Sequence, residues 1–104
     1  MAKPAADCTS KAEVRAEIDR LDHEIVKLFG ERFSYVRRMA QLKQDPSEAD
    51  DPGRVESVLK RIAEHAAAEG LDTELLRAIW RQLIDWNIAY EERTIGVDAT
   101  ERGN

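Results

Sequence analysis

The sequence predicts an all-α protein with three helices per chain, one long, one short and one of medium length. Apolar residues recur at spacings of three and four along most of the 104 residues, and no segment alternates apolar and polar residues as a β-strand does. The first helix, at about 34 residues, would extend ~50 Å, whereas a 100-residue globule has a radius of gyration of only ~13 Å. We therefore expect a homodimer in which two long helices pack against each other and the shorter helices surround them.

The composition favours a single domain covering residues 1–104. We expect an ordered core from about residue 7 to about residue 94. The termini should be flexible, because they contain few apolar residues that could pack against the core. The chain is 42% hydrophobic and 36% charged, and its net charge of −5 disfavours nucleic acid as a partner. No run approaches the roughly 18 apolar residues of a membrane span, and the N-terminus lacks a secretory signal. We expect a cytoplasmic protein with no membrane partner.

The first helix is predicted to run from about Lys11 to about Gln44, before Pro46. Ser10 can cap it, and Glu13 stands at the spacing of a capping box. Nine positions then follow at alternating intervals of four and three residues, the repeat of a helix packed along its length. We call them the heptad stripe; eight are apolar or aromatic and one is an arginine: Val14, Ile18, Leu21, Ile25, Leu28, Arg32, Tyr35, Met39 and Leu42.

Two shorter helices are predicted after a loop that contains prolines. Asp51 is the N-cap and Pro52 the first residue of the second helix, which stops at Gly70. Its apolar face comprises Val55, Val58, Leu59 and Ile62. The third helix begins after the cap Asp72 and extends to about Thr94. Its buried side is predicted at Leu75, Leu76, Ile79, Leu83, Trp86 and Tyr90.

Arg32 interrupts the heptad stripe, and a buried guanidinium needs an anionic partner. A structural ion pair with a glutamate of another helix and an anion-binding site explain it equally well. Lys43 lies ~16 Å further along the same side of the helix, so the two cations could hold opposite ends of a small dianion. Arg54 follows the loop and can turn back towards Lys43. Taken singly, a lysine at a helix end and a surface arginine are more often solvated.

A second stripe on the third helix ends in two hydrogen-bonding residues: Trp80, Ile84, Asn87 and Glu91. This pattern is typical of one wall of a pocket, and also of a helix face that drifts into solvent near its end. His23 and His65 lie on separate helices without metal-ligand spacing, and no phosphate loop, nucleophile elbow or zinc motif occurs. The sequence therefore predicts no metal site.

Four segments together resemble the all-helical chorismate mutase family: "EVRAEIDRLDHEIVKLFGERF", "QLK", "DPGRV" and "DWNIAYEE". The resemblance covers the chain from roughly Asp7 to Arg93, and the ordered set of Arg, Arg, Lys, Arg and Glu is its most specific part. It implies an intertwined homodimer of three-helix protomers with two equivalent active sites. It also implies an isomerase of aromatic amino acid biosynthesis that converts the dicarboxylate chorismate to prephenate.

The resemblance further implies roles for seven residues. Arg15 would bind a substrate carboxylate in the partner's active site, and Arg32 would bind a carboxylate as well. Helix geometry agrees that these two serve different sites, because they lie ~25 Å apart along one helix. Lys43 would contact a carboxylate and the ether oxygen. The implied substrate-binding set is completed by Asp51, Arg54, Asn87 and Glu91.

The implied reaction is a [3,3] shift within one molecule, so we expect no nucleophile, metal or cofactor. The protein must hold the reactive conformation and stabilise negative charge on the ether oxygen, which suits arginines and Lys43 respectively. Glu91 can assist only in its protonated form, as a hydrogen-bond donor. The chain departs from the family at three positions. Glu91 stands where many bacterial members carry glutamine, although fungal members carry glutamate. Asn87 replaces a small hydroxyl residue, and Val55 stands where some members carry a glutamate that binds the substrate hydroxyl. The last two departures leave the contact to the substrate hydroxyl open.

Two other functions compete with the mutase. Isochorismate pyruvate lyase shares the fold and the cationic pocket, and the segment "DCTSKAEVR" is similar to that branch. Glu91, where the lyases carry glutamine, favours the mutase. A non-catalytic dimeric helical interaction module would explain the heptad repeat, but it gives no reason for four cations to occur together at Arg15, Arg32, Lys43 and Arg54.

Overall fold

Three α-helices make up most of the described chain. A computed structural model describes residues 2–96, and among these there is no β-strand. The helices are α1 (Lys11–Leu42), α2 (Pro52–Ala68) and α3 (Thr73–Thr94), with short 3-10 turns at Ala5–Asp7 and Pro46–Glu48. This confirms the predicted all-α class and the long, short and medium helices.

The described residues group into two compact units. The first extends to Tyr35 and the second begins at Val36, within the continuous helix α1. No helix of the part described is long and apolar enough to cross a membrane. The C-terminal tail that was predicted to be flexible lies, from residue 97 onward, outside the described residues.

In the first unit, the lead-in is attached to the first turn of α1. Ser10 Oγ accepts a hydrogen bond from the backbone N–H of Glu13 at 3.2 Å, so the predicted cap is present. The Glu13 carboxylate pairs instead with Lys3 and accepts a hydrogen bond from Thr9 Oγ1 at 2.8 Å. These contacts, chiefly the one with Lys3, hold the pKa of Glu13 below its usual value. The lead-in is therefore held by a side chain of the helix that it precedes.

In the second unit, α2 packs against α3 through a small apolar cluster. Its buried members are Val55, Leu59 and Ile84, and the side chains packed against them are Val58, Trp80 and Ile88. The predicted apolar face of α2 is thus confirmed at Val55, Val58 and Leu59, whereas Ile62 lies outside the cluster. A second cluster joins the end of α1 to the end of α3 and consists of Ala40, Ala49 and Ile95, with Ile88 and Tyr90 packed against it. Ile88 contacts both clusters, so the last turns of α3 are fixed from two sides.

Three of the six residues predicted on the buried side of α3 are exposed in the single chain. Leu75, Ile79 and Trp86 are exposed, whereas the second stripe supplies the buried residues Ile84, Asn87 and Glu91. The physical reason is that α3 carries two apolar stripes, and α2 packs on the one that contains Ile84. Periodicity identifies both stripes but does not say which neighbour each one meets.

The heptad stripe of α1 is not buried within the chain. Its eight apolar and aromatic members have between 43% and 69% of their surface exposed, from Val14 at the low end to Tyr35 at the high end. Soluble monomers rarely expose a continuous apolar surface of this length. The stripe was predicted to be covered by a second chain, and that cover remains a prediction.

Two glycines of the helices should respond in opposite ways to alanine. Gly30 lies inside α1, and an added Cβ would meet no atom within 4 Å. Gly70 follows α2 with a φ of +71°, and its N–H and that of Leu71 close the helix on the carbonyls of Ala67 and Ala66. Gly30→Ala should raise the free energy of unfolding by about 1 kcal/mol, because alanine favours the helix. Gly70→Ala should lower it by about 1–2 kcal/mol, because a side chain there is strained.

Urea denaturation followed by circular dichroism measures both glycine variants under the same conditions. A change of the same sign in both variants would contradict this account of the two positions.

Candidate active site

The centre of the candidate site is an ion pair between Lys43 and Glu91. Lys43 Nζ donates to Glu91 Oε1 at 2.7 Å, and 21% and 9% of the two side chains are exposed. Both residues belong to the second unit. A pair so far removed from water is held more firmly than a surface pair, because competition from solvent is weaker. Lys43 and Glu91 were both predicted as site residues, and the structure brings them into contact.

The chain direction after Lys43 is fixed by a compact turn. The Lys43 backbone N–H still donates to Met39 O at 2.9 Å, and α1 ends one residue earlier, at Leu42. Glu48 Oε2 then accepts hydrogen bonds from the backbone N–H groups of Gln44 at 2.9 Å and Asp45 at 2.8 Å. The helix therefore stops two residues before the predicted Gln44, because Glu48 satisfies N–H groups that a longer helix would have used.

Asp45 completes this turn from the other side. Its Oδ1 accepts a hydrogen bond from the backbone N–H of Ser47 at 2.9 Å, so Asp45 and Glu48 form a capping box around the 3-10 turn. The backbone N–H of Ser47 is the main cause that lowers the pKa of the Asp45 carboxyl. Sequence reasoning treated this segment only as a loop, although the spacing of Asp45 and Glu48 is a capping-box signal.

Asn87 lies one helical turn before Glu91 on the same face of α3. Only 7% of its surface is exposed, the same fraction as for Glu91. Its side-chain amide makes no hydrogen bond with any residue in the range 2–96. The buried wall of α3 therefore presents a paired carboxylate and, beside it, an unpaired amide.

Asp51 and Arg54 stand at the start of α2. Asp51 Oδ1 accepts a hydrogen bond from the backbone N–H of Arg54 at 3.1 Å, which confirms Asp51 as the N-cap. The Arg54 side chain is exposed. The structure thus gives Asp51 a structural task and leaves the guanidinium of Arg54 accessible to an anion.

Arg15 and Arg32 belong to the first unit. Arg32 is half-buried, whereas its apolar neighbours on the stripe, Leu28 and Tyr35, are 62% and 69% exposed. Arg15 is exposed and lines a shallow groove beside the first turns of α1, together with Cys8, Thr9, Ser10, Lys11, Val14 and Ile18. Both arginines therefore sit on the helix that carries the exposed heptad stripe.

The arrangement in the second unit suits the binding of a polar small molecule. A fixed ammonium group with little water around it can stabilise negative charge without reorganising. The adjacent carboxyl and amide groups provide further hydrogen-bonding atoms. No group of three or more histidine, cysteine, aspartate or glutamate residues that could hold a metal ion occurs in the range 2–96.

We expect Glu48 to act as a positioning residue for Lys43. Glu48→Ala removes the acceptor for two N–H groups directly after Lys43, so the lysine should lose its fixed direction and ligand affinity should fall about tenfold, the value of ~1.4 kcal/mol. Glu48→Gln, which keeps an oxygen acceptor, should retain most of the affinity. Isothermal titration with a dicarboxylate ligand measures this, with Glu56→Ala on the exposed surface of α2 as the control. Equal affinities for Glu48→Ala and the control would contradict the positioning role.

A three-helix chain that places a part-buried lysine against a buried carboxylate, with a buried amide one turn away, has the features of a small-molecule enzyme. The chain belongs to the chorismate mutase type II family, whose model matches residues 14–92. It is 36% identical over 87 residues to an isochorismate pyruvate lyase of Pseudomonas aeruginosa, covering 84% of this chain and 86% of the lyase. It is 30% identical over 83 residues to a chorismate mutase of Methanocaldococcus jannaschii, covering 79% of this chain and 84% of that protein. The predicted family is therefore confirmed, and its relatives include proteins with two different activities.

Proposed function

We propose that the protein is a chorismate mutase that rearranges chorismate to prephenate. The observation that carries the proposal is the Lys43–Glu91 pair, which places an ammonium and a carboxyl group 2.7 Å apart and largely away from water. Membership of the chorismate mutase type II family supplies the substrate class. The reaction breaks a C–O bond and forms a C–C bond within one molecule, so it requires positioning and charge stabilisation rather than a nucleophile.

Lys43 is the residue that we assign to the breaking C–O bond. Negative charge grows on the ether oxygen as the bond lengthens, and an ammonium already in place stabilises it. In the ligand-free chain, Lys43 Nζ donates its hydrogen bond to Glu91 Oε1. When substrate binds, the ether oxygen takes the place of the Glu91 oxygen, and protonated Glu91 donates a second hydrogen bond to the same oxygen.

The two substrate carboxylates need cations other than Lys43. Lys43 supplies one cation, so the Lys43–Glu91 pair alone cannot hold a dianion. We assign the carboxylates to Arg15, Arg32 and Arg54, since a guanidinium can grip a carboxylate through two parallel hydrogen bonds. The exposed side chains of Arg15 and Arg54 are consistent with binding a ligand that is not present in the free chain.

We further propose a homodimer in which Arg15 serves the partner's site. The support is the heptad stripe, whose apolar members are all at least 43% exposed in the single chain. The most direct cover for a stripe with this period is a second helix of the same kind. Arg15 lies directly after Val14, the first stripe residue, so it stands at the end of the surface that the partner would cover.

Isochorismate pyruvate lyase activity is the second candidate. It is favoured by the lyase relative, which shares 36% identity with the chain, against 30% for the mutase relative. The mutase is preferred because Glu91 stands where the lyases that the chain resembles carry glutamine. Incubation with each substrate separates the two activities: prephenate supports the mutase, and salicylate with pyruvate supports the lyase. If the protein converts neither substrate, the proposed function is wrong.

Glu91 acts as a hydrogen-bond donor to the ether oxygen, so a residue that keeps a donor should replace it best. Glu91→Gln carries a donor amide and should keep kcat within about tenfold of the wild type, whereas Glu91→Ala, which lacks a donor, should lower kcat about 100-fold or more. Steady-state rates, with Asp85→Asn on the exposed face of α3 as the control, measure the difference. Equal losses in Glu91→Gln and Glu91→Ala would contradict the role of Glu91 as a donor.

A further inference from the structure

Asn87 is the buried polar group for which neither the fold nor the proposed chemistry accounts. It is 7% exposed, and its amide makes no hydrogen bond within residues 2–96. The same residues contain no side-chain nitrogen or oxygen that is both fully enclosed and unpaired. The Asn87 amide is therefore nearly buried but still accessible at its surface, so a ligand atom could form a hydrogen bond with it.

A buried amide without a partner is unfavourable for the free protein, because it loses hydrogen bonds to water and gains none. An apolar residue of similar size would avoid this penalty. The amide lies one turn from Glu91, whose side chain holds Lys43, so whatever it binds must be part of the same ligand. This places the amide beside the reacting part of the substrate.

The chemistry of the amide identifies the ligand group. An amide has an N–H donor and an oxygen acceptor, and a carboxylate could satisfy only the donor. A hydroxyl group donates and accepts, is neutral, and can pair with both halves of the amide.

We propose that Asn87 binds the ring hydroxyl of the substrate and thereby selects the substrate isomer. The inference rests on the proposed function and deepens it. In chorismate and isochorismate the hydroxyl lies on opposite sides of the carbon that bears the ether. Once Lys43 holds the ether oxygen, a fixed amide on α3 reaches the hydroxyl of one isomer and not that of the other.

A double comparison tests this role directly. The wild type and Asn87→Leu are each assayed with the isomer that the wild type converts and with its analogue carrying hydrogen in place of the ring hydroxyl. Loss of the hydroxyl should lower kcat/KM of the wild type about 10- to 100-fold, because the buried amide is left unpaired. The same loss should change kcat/KM of Asn87→Leu by less than about threefold. Asp85→Asn, on the exposed face of the same helix, should behave as the wild type does.

Equal factors in the wild type and Asn87→Leu would overturn the inference while leaving the mutase or lyase activity in place. Failure of the wild type to convert either isomer would instead count against the proposed function itself. Asn87→Leu should also unfold at the same or a higher urea concentration than wild type, since no hydrogen bond within residues 2–96 is lost. If Asn87→Leu does not fold, Asn87→Ala serves in the same comparison.

Discussion

Lys43→Met should lower kcat about 100- to 1,000-fold, the effect of removing one preorganised donor from a developing negative charge. Methionine keeps most of the length and apolar volume of the lysine side chain, so the change removes chiefly the charge. The variant should also lose about 1–3 kcal/mol of stability, because Glu91, with a side chain only 9% exposed, is left without its partner. Initial rates and urea denaturation measure the two effects separately.

Two variants separate the catalytic effect of Lys43 from its effect on stability. Lys43→Met combined with Glu91→Gln should recover much of the stability, because a neutral amide is easier to bury than a carboxylate, and should remain inactive. Lys60→Met, at an exposed position of α2, should leave both rate and stability unchanged. A rate for Lys43→Met within threefold of the wild-type rate would show that Lys43 is not the group that stabilises the ether oxygen.

Ile25→Glu should convert a dimer into a monomer and abolish most of the activity. Ile25 lies in the middle of the heptad stripe and is 47% exposed in the single chain. A glutamate there would cost little in an isolated chain, but in a dimer it would bury a charge in an apolar interface, at a cost of several kcal/mol. Analytical ultracentrifugation and initial rates should therefore show the loss of association and of activity together.

Val26→Glu provides the matched control for the interface. Val26 is the next residue, is 68% exposed and lies off the stripe, so the same charge is added about 100° further around the helix. This variant should stay dimeric and active. Identical behaviour of the two variants would contradict an interface along the heptad stripe.

Local signals predicted the helix limits well. Ser10, Asp51, Asp72 and Gly70 act through hydrogen bonds within a few residues, and the structure confirms each of them as a cap or a stop. Such rules depend on the backbone and not on distant neighbours, which is why sequence alone suffices. The turn at Pro46–Glu48 was missed, because its prolines and acids were interpreted as an irregular loop.

Long-range packing was harder to predict. The pairing of Glu13 with Lys3 depends on how the lead-in folds back, and no periodicity describes that. On α3 the repeat favoured the stripe of Leu75 and Ile79, yet α2 packs on the stripe of Ile84. A repeat gives the direction of an apolar face, but it does not say whether the same chain or another covers that face.

In the candidate site, too, local features were predictable from the sequence and long-range contacts were not. The sequence identified Lys43 and Glu91 as site residues through resemblance, and the structure shows their hydrogen bond. It did not predict that Glu91 would hold the lysine in the free chain, because the spacing of 48 residues carries no local signal. The sequence identified Asn87 as a polar residue on an apolar stripe. Its burial without a hydrogen-bond partner depends on how α2 packs against α3, which the sequence does not give.

We propose that each catalytic pocket uses residues of two chains, and mixing two inactive variants tests this most directly. Arg15→Ala and Lys43→Met should each be nearly inactive towards chorismate as homodimers. After the two are unfolded and refolded together, each mixed dimer should contain one pocket with an intact Lys43 and an intact Arg15 from the partner. Random assortment then predicts prephenate formation at about a quarter of the wild-type rate. A mixture no more active than the two variants measured separately would contradict a pocket shared between chains.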